Sequence, residues 1–250
     1  MSLDTITNEF VFHTLVLFTR VMAMFSFLPA LREVYFSPRI RIVLAFLTCL
    51  VIYPILHPIF PKVPTHVSNI ATILAIEFLV GALIGSSIKI YFGALDIVGN
   101  ILSMNSSLSA ANFFDNNQKT QQPIFSIFLH LLGVMAIFAS DTHHSYFKGI
   151  VVSYDKFRVN ETLIAADMAK FITNTFNEAF IVGFKIASPF IIVHLSMQIG
   201  TGVLSKLMPS LQIFFILLPA QMLAMFAVLL IIAPTLNFYI IEYINNFYIM

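Results

Sequence analysis

Long apolar runs dominate this chain, and joints rich in Pro, Asn or charged residues separate them. The runs cover approximately residues 10–31, 40–60, 69–104, 123–152, 171–204 and 211–249. A helix needs about 20 apolar residues to cross a bilayer, so each run is long enough. At about 1.5 Å per residue, the third, fifth and last runs exceed a hydrocarbon core of about 30 Å. The sequence therefore predicts an all-α, polytopic membrane protein of about six broken or kinked helical segments or hairpins.

Helix-breaking residues within the three longest runs are expected to kink or interrupt them. They are Gly81, Gly85, Gly93, Gly99, Pro189, Gly200, Pro219 and Pro234. No tandem repeat or low-complexity linker divides the chain, so we expect residues 1–250 to form a single multi-span membrane domain. The acidic first residues and the missing cleavage site argue against a signal peptide. Basic residues divide equally between the two sets of loops, which leaves the membrane orientation open.

The composition excludes several classes of partner and chemistry. Hydrophobic residues make up 59% of the 250 residues and charged residues only 10%, which is far outside the range of soluble proteins. The formal net charge is +1, so the chain has no basic field that would recruit nucleic acid. The single cysteine, Cys49, lies in an apolar run and excludes both an intrachain disulfide and a cysteine-based metal cluster.

Several charged residues lie inside the apolar runs, where each would cost a few kcal/mol if it faced lipid. Lys89 and Asp96 are seven residues apart, about 10 Å along a helix, which is too far for a local pair. Partners must therefore come from other helices or other subunits, although Lys185 and His194 could instead snorkel to the membrane surface. The residues predicted to form such pairs are Arg20, Glu77, Lys89, Asp96, Glu178 and Lys185.

A four-residue spacing links small residues in the third run. Glu77, Gly81, Gly85, Lys89 and Gly93 follow one another at this interval and form a narrow groove with an acid and a base near its ends. Small residues at this spacing let another helix backbone approach closely. We expect this groove to pack against a helix that carries polar groups of its own.

Residues 103–122 form the longest polar interruption between apolar runs. The small polar residues and the flexible side chain of Met104 lead into the bulky pair Phe113 and Phe114. This composition suits an adaptable constriction in a pore, although a solvated loop is the alternative. The residues predicted to form a plug or gate are Met104, Asn105, Ser106, Phe113, Phe114 and Asp115.

Motifs of the common enzyme classes are missing from the sequence. It contains no His-Glu-x-x-His, no Gly-x-Ser-x-Gly and no phosphate-binding Gly-x-x-x-x-Gly-Lys. Asp141, His143 and His144 are close in sequence, but adjacent side chains on a helix point about 100° apart. The two histidines could share one ion only across a local break in the helix. The sequence therefore predicts no catalytic residue, no metal site and no cofactor.

A polar, proline-bracketed turn at residues 201–221 separates the last two apolar runs. This pattern resembles the signature of the FliR/SctT family, the single-copy subunit of the bacterial type III protein-export gate. The residues that carry the resemblance are Gly202, Lys206, Pro209, Leu211, Gln212, Phe214 and Pro219.

The resemblance continues over nearly the whole chain, in order and in spacing. The matching positions are Arg20, Pro29, Pro38, Arg39, Arg41, Pro54, Glu77, Gly81, Gly85, Ser109, Ala111, Asp115, His143, His144, Ser153 and Pro189. Three positions depart from the family's pattern. Ser106 or Ser107 stands where Gly is usual, Asn116 where Pro is usual, and Lys206 where Arg is common.

The resemblance implies a function in protein export. A member of this family would be a non-enzymatic subunit of the export gate in the bacterial inner membrane, at the centre of the flagellar basal body. It would assemble with FliP-like and FliQ-like subunits and a FlhB-like switch protein. Unfolded flagellar proteins would pass through the channel, and the loop at about 103–119 would act as a plug together with a methionine-rich gasket from the partners.

Three other functions remain open at this stage. The injectisome counterpart, SctT, belongs to the same family. A secondary transporter would explain broken helices and buried ions, but the two halves of the chain show no matched repeat. A membrane metalloenzyme would use Asp141, His143, His144 and His194.

Overall fold

Helices make up the structure, a computed structural model that describes residues 3–31, 36–106, 123–159, 165–208 and 213–249. The described residues contain seven α-helices, two 3-10 turns and no strand. The α-helices are α1 (Leu3–Phe27), α2 (Pro38–Leu56), α3 (Val67–Asn105), α4 (Ile124–Ala139), α5 (His143–Lys156), α6 (Ala165–Leu207) and α7 (Ile213–Ile249). The 3-10 turns are Pro29–Leu31 and His57–Ile59.

Proline marks the start of two helices. Pro38 is the first residue of α2, where the missing N–H of proline removes no helical hydrogen bond. Pro123 directly precedes α4, and its own backbone is extended. Pro54 lies inside α2 two residues before its end, and the chain then tightens into the 3-10 turn at His57–Ile59.

Five helical segments of the described chain are long and apolar enough to cross a membrane. They are Thr7–Phe27, Pro38–Ile59, Val67–Asn105, Ala166–Leu207 and Leu217–Leu236. The pair α4 and α5 adds a sixth candidate if both helices are counted as one interrupted span. The prediction of an all-α, polytopic membrane protein is confirmed.

The three longest runs each form one continuous helix, so the glycines and prolines inside them do not end a helix. α3 has 39 residues, α6 has 43 and α7 has 37. The interior prolines of α6 and α7 each remove only one backbone hydrogen bond, and such prolines are tolerated in membrane helices. At about 1.5 Å per residue, each helix is longer than a hydrocarbon core of about 30 Å. These helices must therefore kink, tilt or extend beyond the apolar layer.

A break occurs in the fourth run, residues 123–152, for which the sequence predicts one helical segment or hairpin. α4 ends at Ala139 and α5 begins at His143. Asp141 lies between them with a φ of 55°, and it is the only non-glycine with positive φ among the described residues. Aspartate tolerates this left-handed conformation better than most residues do. The available sequence signal for the break was the short polar stretch Ser140, Asp141 and Thr142.

The chain divides into two compact units. One comprises Met1–Ile90, Asp141–Phe176 and Ile244–Met250, and the other comprises Tyr91–Ser140 and Asn177–Tyr243. In the first unit, α1 packs against α2. The buried apolar residues there include Val16, Leu17, Val21, Ala45 and Cys49. The second unit buries Leu95, Val98, Leu102, Leu129, Ala187, Phe190 and Met225.

The glycine groove predicted on α3 is occupied by α1 over part of its length. A Cβ added to Gly81 would collide with the backbone carbonyl of Arg20, and one added to Gly85 would lie 2.6 Å from the carbonyl oxygen of Met24. Glycine is therefore required at both positions for the two backbones to approach so closely. Gly93, in the next unit, has no atom within 4 Å of such a Cβ.

Candidate functional site

A buried ion pair joins α1 to α3 in the first unit. Arg20 is 2% exposed and Glu77 is fully buried. Nε of Arg20 donates to Oε2 of Glu77 at 2.6 Å, and Nη2 donates to Oε1 at 2.9 Å. This is the side-on, two-point arrangement in which arginine binds a carboxylate most strongly. Glu77 lies one helical turn from Gly81, so the close approach at the glycine brings the two side chains within reach.

Groups from α5 and the residue after it complete this site. Nη1 of Arg20 donates to Oγ of Ser153 at 3.1 Å, and Nη2 also donates to the carbonyl oxygen of Phe157 at 2.9 Å. The hydroxyl of Tyr154 donates to Oε2 of Glu77 at 3.2 Å, and its ring centroid lies 3.6 Å from Cζ of Arg20. Both charges are thus satisfied inside the protein. The cluster fixes three helical segments to one another and leaves no reactive group unsatisfied.

A second polar contact joins α3 to α4 in the other unit. Nε2 of His130 lies 2.7 Å from Oδ1 of Asp96. A Cβ added to Gly99, one turn beyond Asp96, would collide with the backbone of Ser126, which lies one turn before His130. Gly99 and Asp96 thus repeat the arrangement of Gly81 and Glu77. In each case a glycine one turn from an acidic residue allows a close contact between two helices, and this contact brings the acid to its partner. The aspartate side chain is 41% exposed, so this contact is less buried than the ion pair of Arg20 and Glu77.

Glu178 has a partner on α3 in the same unit. The hydroxyl of Tyr91 donates to Oε2 of Glu178 at 2.6 Å, although Glu178 is exposed. Gly183, just over one turn further along α6, lies close enough to Ala94 that an added Cβ would be 3.2 Å from its Cα. The contact therefore lies beside a tight α3–α6 crossing.

Three of the six predicted charges, Lys89, Lys185 and Glu178, have no ion-pair partner in the described part of the chain. Lys89 is exposed, and its Nζ lies 5.7 Å from the ring centroid of Phe27. Lys185 is exposed on α6. Glu178 is also exposed, so the expected burial is absent within the chain for these three residues. Their burial among other subunits stays a prediction.

The segment predicted as a plug begins as helix. α3 continues through Asn105, so the predicted polar loop from residue 103 starts later than expected. Met104 is 71% exposed, whereas Ser106 is buried and donates through Oγ to the carbonyl oxygen of Ser103 at 3.2 Å. The other three predicted plug residues, Phe113, Phe114 and Asp115, lie outside the described residues.

The signature turn also begins later than its sequence indicated. Gly202 and Lys206 are exposed residues of α6, which continues to Leu207. Helical hydrogen bonding thus tolerates the glycine close to the end of α6. Pro219 is exposed within α7, and Phe214 belongs to the same helix. The remaining signature positions, Pro209, Leu211 and Gln212, lie outside the described residues.

Asp141, His143 and His144 come together at the start of α5. Their possible ligand atoms all lie within 4.8 Å of one another, and the two imidazole centroids are 4.3 Å apart. Both histidines belong to α5, as the sequence argument against shared ligation assumed, yet their possible ligand atoms still lie close together. The spacing suits a metal ion, but Asp141 and His144 are exposed. The absence of a metal site stays a prediction.

Arg41 is a buried charge that is not among the residues predicted from sequence to form pairs. It lies in the first turn of α2 and is 6% exposed. Its Nε and Nη2 atoms have no hydrogen-bond partner among the described residues. The available signal was its place two residues after Arg39, at the start of an apolar run.

Sequence comparison matches this chain to a known protein family. The family model described as "Bacterial export proteins, family 1" matches residues 11–247. The flagellar biosynthetic protein FliR of Caulobacter vibrioides is 29% identical over 206 residues, which cover 82% of each chain. FliR of Aquifex aeolicus is 25% identical over 247 residues, 98% of this chain and 95% of the relative.

FliR of Escherichia coli K12 is 25% identical over 220 residues, 86% of this chain and 83% of the relative. The matched range contains every described polar contact discussed above, and the arrangement of long apolar helices agrees with a membrane protein. The chain therefore belongs to family 1 of the bacterial export proteins.

Proposed function

We propose that this protein is the FliR-type subunit of the flagellar type III export gate in the bacterial inner membrane. It builds part of the channel through which unfolded flagellar proteins leave the cell for flagellum assembly. The observation that carries the proposal is the family match over residues 11–247, together with relatives named as flagellar biosynthetic proteins. Five candidate membrane spans in the described residues support a multi-pass location.

The described polar contacts support a structural role and not an enzymatic one. Arg20 and Glu77 bind each other and are further satisfied by Ser153, Tyr154 and Phe157. A catalytic acid or base needs a position from which it reaches a substrate. These groups are buried and engaged in joining helices, so the cluster suits a rigid scaffold that lines or supports a channel.

Other subunits are needed to complete the polar surface of this chain. Exposed Lys89 and Lys185 lie on helices that qualify as membrane spans, where an isolated cation facing lipid costs a few kcal/mol. Partner subunits of the FliP-like, FliQ-like and FlhB-like types would cover such groups. The segment after α3, including Phe113 and Phe114, would close the resting channel in this assembly.

The injectisome counterpart is the second candidate function. The relatives named above favour the flagellar system. Each is named as a flagellar biosynthetic protein, and this chain matches each of them over most of its length. None of the contacts described above, and none of the relatives named above, favours a secondary transporter.

Deletion of the gene from its native host tests the proposal. We expect cells without flagellar filaments and a growth medium without secreted flagellar proteins, while complementation with the wild-type gene restores both. Immunoblots of medium and cell fractions separate a failure of export from a failure of synthesis. Normal flagella in the deletion strain would contradict the proposal, and loss of injectisome substrates alone would select the second candidate.

A further inference from the structure

Three side chains of the kinds that bind metal ions meet at the start of α5. Asp141, His143 and His144 each offer a ligand atom, and these atoms all lie within 4.8 Å of one another. They form the only such group in the part of the chain that the structure describes. They take no part in the ion pairs of Arg20 and Asp96 described above. The structural role of those ion pairs therefore leaves this cluster unexplained.

The backbone at Asp141 allows its carboxylate to lie beside the imidazoles. Side chains two residues apart on a regular helix point about 200° apart, so a helical Asp141 would face away from His143. Asp141 instead precedes α5 and has a φ of 55°. Its carboxylate lies near both imidazoles as a result. The helix break and the ligand cluster are thus one local feature of the chain.

The two histidines hold their rings side by side. The ring centroids are 4.3 Å apart, and the ring planes meet at 34°. A helix restricts side-chain rotamers through its preceding turn, but His143 is the first residue of α5 and escapes that restriction. Ligand atoms bound about 2.1 Å from a tetrahedral ion lie about 3.4 Å from one another. Small rotations of these half-buried and exposed side chains reach that spacing.

The chemistry of the donors selects the kind of ion. Imidazole nitrogens suit Zn²⁺, Cu²⁺ and Ni²⁺, whereas Ca²⁺ and Mg²⁺ bind oxygen ligands. Two imidazoles and one carboxylate match the three protein ligands of an open zinc site, in which water takes the fourth position. Asp141 and His144 are exposed, so water and the ion have access to the cluster.

We propose that Asp141, His143 and His144 bind a divalent transition-metal ion, for which Zn²⁺ is the best match. This inference departs from the expectation of no metal site, because the sequence could not show the turn at Asp141 or the position of the rings. It goes beyond the proposed function and does not depend on it.

The ion has a structural role at this position, because it ties the first turn of α5 to the residue before the turn. The same helix contributes Ser153 and Tyr154, which contact the guanidinium of Arg20. A metal ion that binds the folded chain in preference to the unfolded chain stabilises it by mass action. No catalytic step is assigned to the ion.

The test measures Zn²⁺ binding to the full chain, purified with its partner subunits through a tag that contains no histidine. A chelator first removes bound metal, and Zn²⁺ is then titrated in the presence of excess Mg²⁺. Because partner subunits can also bind zinc, wild type is compared with a variant that carries both His143→Ala and His144→Ala. We expect wild type to bind one more Zn²⁺ per chain than this variant. Equal zinc content and equal affinity would overturn the proposal.

Single substitutions assign the ligands. Groups that only orient metal ligands already change affinity about 10- to 100-fold, so loss of a ligand should weaken Zn²⁺ binding at least about tenfold. Asp141→Asn removes the charge but keeps a residue that tolerates the left-handed backbone, so weaker binding reports ligation and not a broken turn. His66→Ala is the matched control, since His66 is exposed on another part of the chain, and it should bind as wild type does.

The amount of chain that copurifies shows whether each variant folds and assembles. If the double histidine variant does not assemble, Asp141→Asn decides the question, since it replaces an exposed side chain by one of equal size. Wild-type affinity in Asp141→Asn would then reject the three-ligand site.

X-ray absorption at the zinc edge counts the ligands directly. We expect two imidazole nitrogens at about 2.0–2.1 Å in the difference between wild type and the double variant. Zinc held by one imidazole or by none would reject the site.

Thermal inactivation tests the structural role. Added Zn²⁺ should raise the inactivation midpoint of the wild-type complex more than that of Asp141→Asn, because the bound ion stabilises the folded chain. The same increase in both proteins would show that zinc acts elsewhere in the complex and would overturn the role assigned to this cluster.

Discussion

Gly81 of α3 lies directly against the backbone carbonyl of Arg20 in α1, with no space for a side chain between them. Glu77 lies one turn from Gly81 on α3, so the contact brings Arg20 within reach of Glu77 while both side chains remain almost fully buried. Helix packing and charge pairing are thus one feature of this protein. A change in either should weaken the other.

Gly81→Ala should destabilise the chain by about 1–3 kcal/mol, because the new Cβ must push α1 and α3 apart in a packed region. Gly93→Ala is the matched control on the same helix, since its Cβ would meet no atom within 4 Å. Alanine is also the better helix former by up to about 1 kcal/mol. Thermal inactivation of the detergent-purified complex, followed by size-exclusion chromatography, measures both. Equal midpoints for the two variants would contradict the packing argument.

Glu77→Ala should lower assembly strongly because it leaves Arg20 buried without its carboxylate. Breaking a buried pair in this way costs about 3–5 kcal/mol. Asp167→Ala also removes a carboxylate, but from the exposed first turn of α6, where its interaction with the helix dipole is worth about 1 kcal/mol or less. The yield of complex purified through a partner subunit is the measurement. Similar yields from the two variants would mean that Arg20 finds another acceptor.

Removing both charges should be less harmful than removing one. In Arg20→Leu with Glu77→Leu, no buried charge remains unpaired, and apolar replacement of a buried pair is often neutral or stabilising. We therefore expect the double variant to assemble better than Glu77→Leu alone. A double variant that is worse than both single variants would show that the other partners, Ser153, Tyr154 and Phe157, require the arginine.

The chain should be short-lived without its partner subunits. Nε and Nη2 of Arg41 are buried without an acceptor among the described residues, and the exposed cations Lys89 and Lys185 lie on apolar helices. A pulse-chase experiment in a strain that lacks the FliP-like subunit should give faster degradation than in the complete strain. A stable, monodisperse monomer in mild detergent would contradict this expectation.

The fold class could be predicted from sequence because the apolar runs alone decide it. The continuity of α3, α6 and α7 could not, since a proline or glycine signals only a local cost and neighbouring contacts decide whether the helix continues. The break at Asp141 could not be placed from sequence either. Its neighbours Ser140 and Thr142 are polar, but a short polar step does not by itself end a helix, and the left-handed backbone of one aspartate is not encoded in hydropathy.

The candidate site could also be predicted only in part from the sequence. The charges of Arg20 and Glu77 stood out because charge is rare in apolar runs. Their mutual contact could not be predicted, since they are 57 residues apart and meet only through tertiary packing. The burial of Arg41 could not be predicted, because an arginine near the start of an apolar run is usually exposed, and only the fold distinguishes it from Arg39.

The proposed plug provides the last prediction. If Phe113 and Phe114 seal the resting channel, then replacing both by alanine removes the two bulkiest side chains of the segment after α3. The assembled variant should then leak ions or small solutes across the membrane, because the constriction widens. Permeability is measured in cells that carry the assembled complex, with Phe176→Ala as the control for loss of an exposed phenylalanine from α6. A tight membrane with intact assembly would agree with a solvated loop and would remove the gating role from these residues.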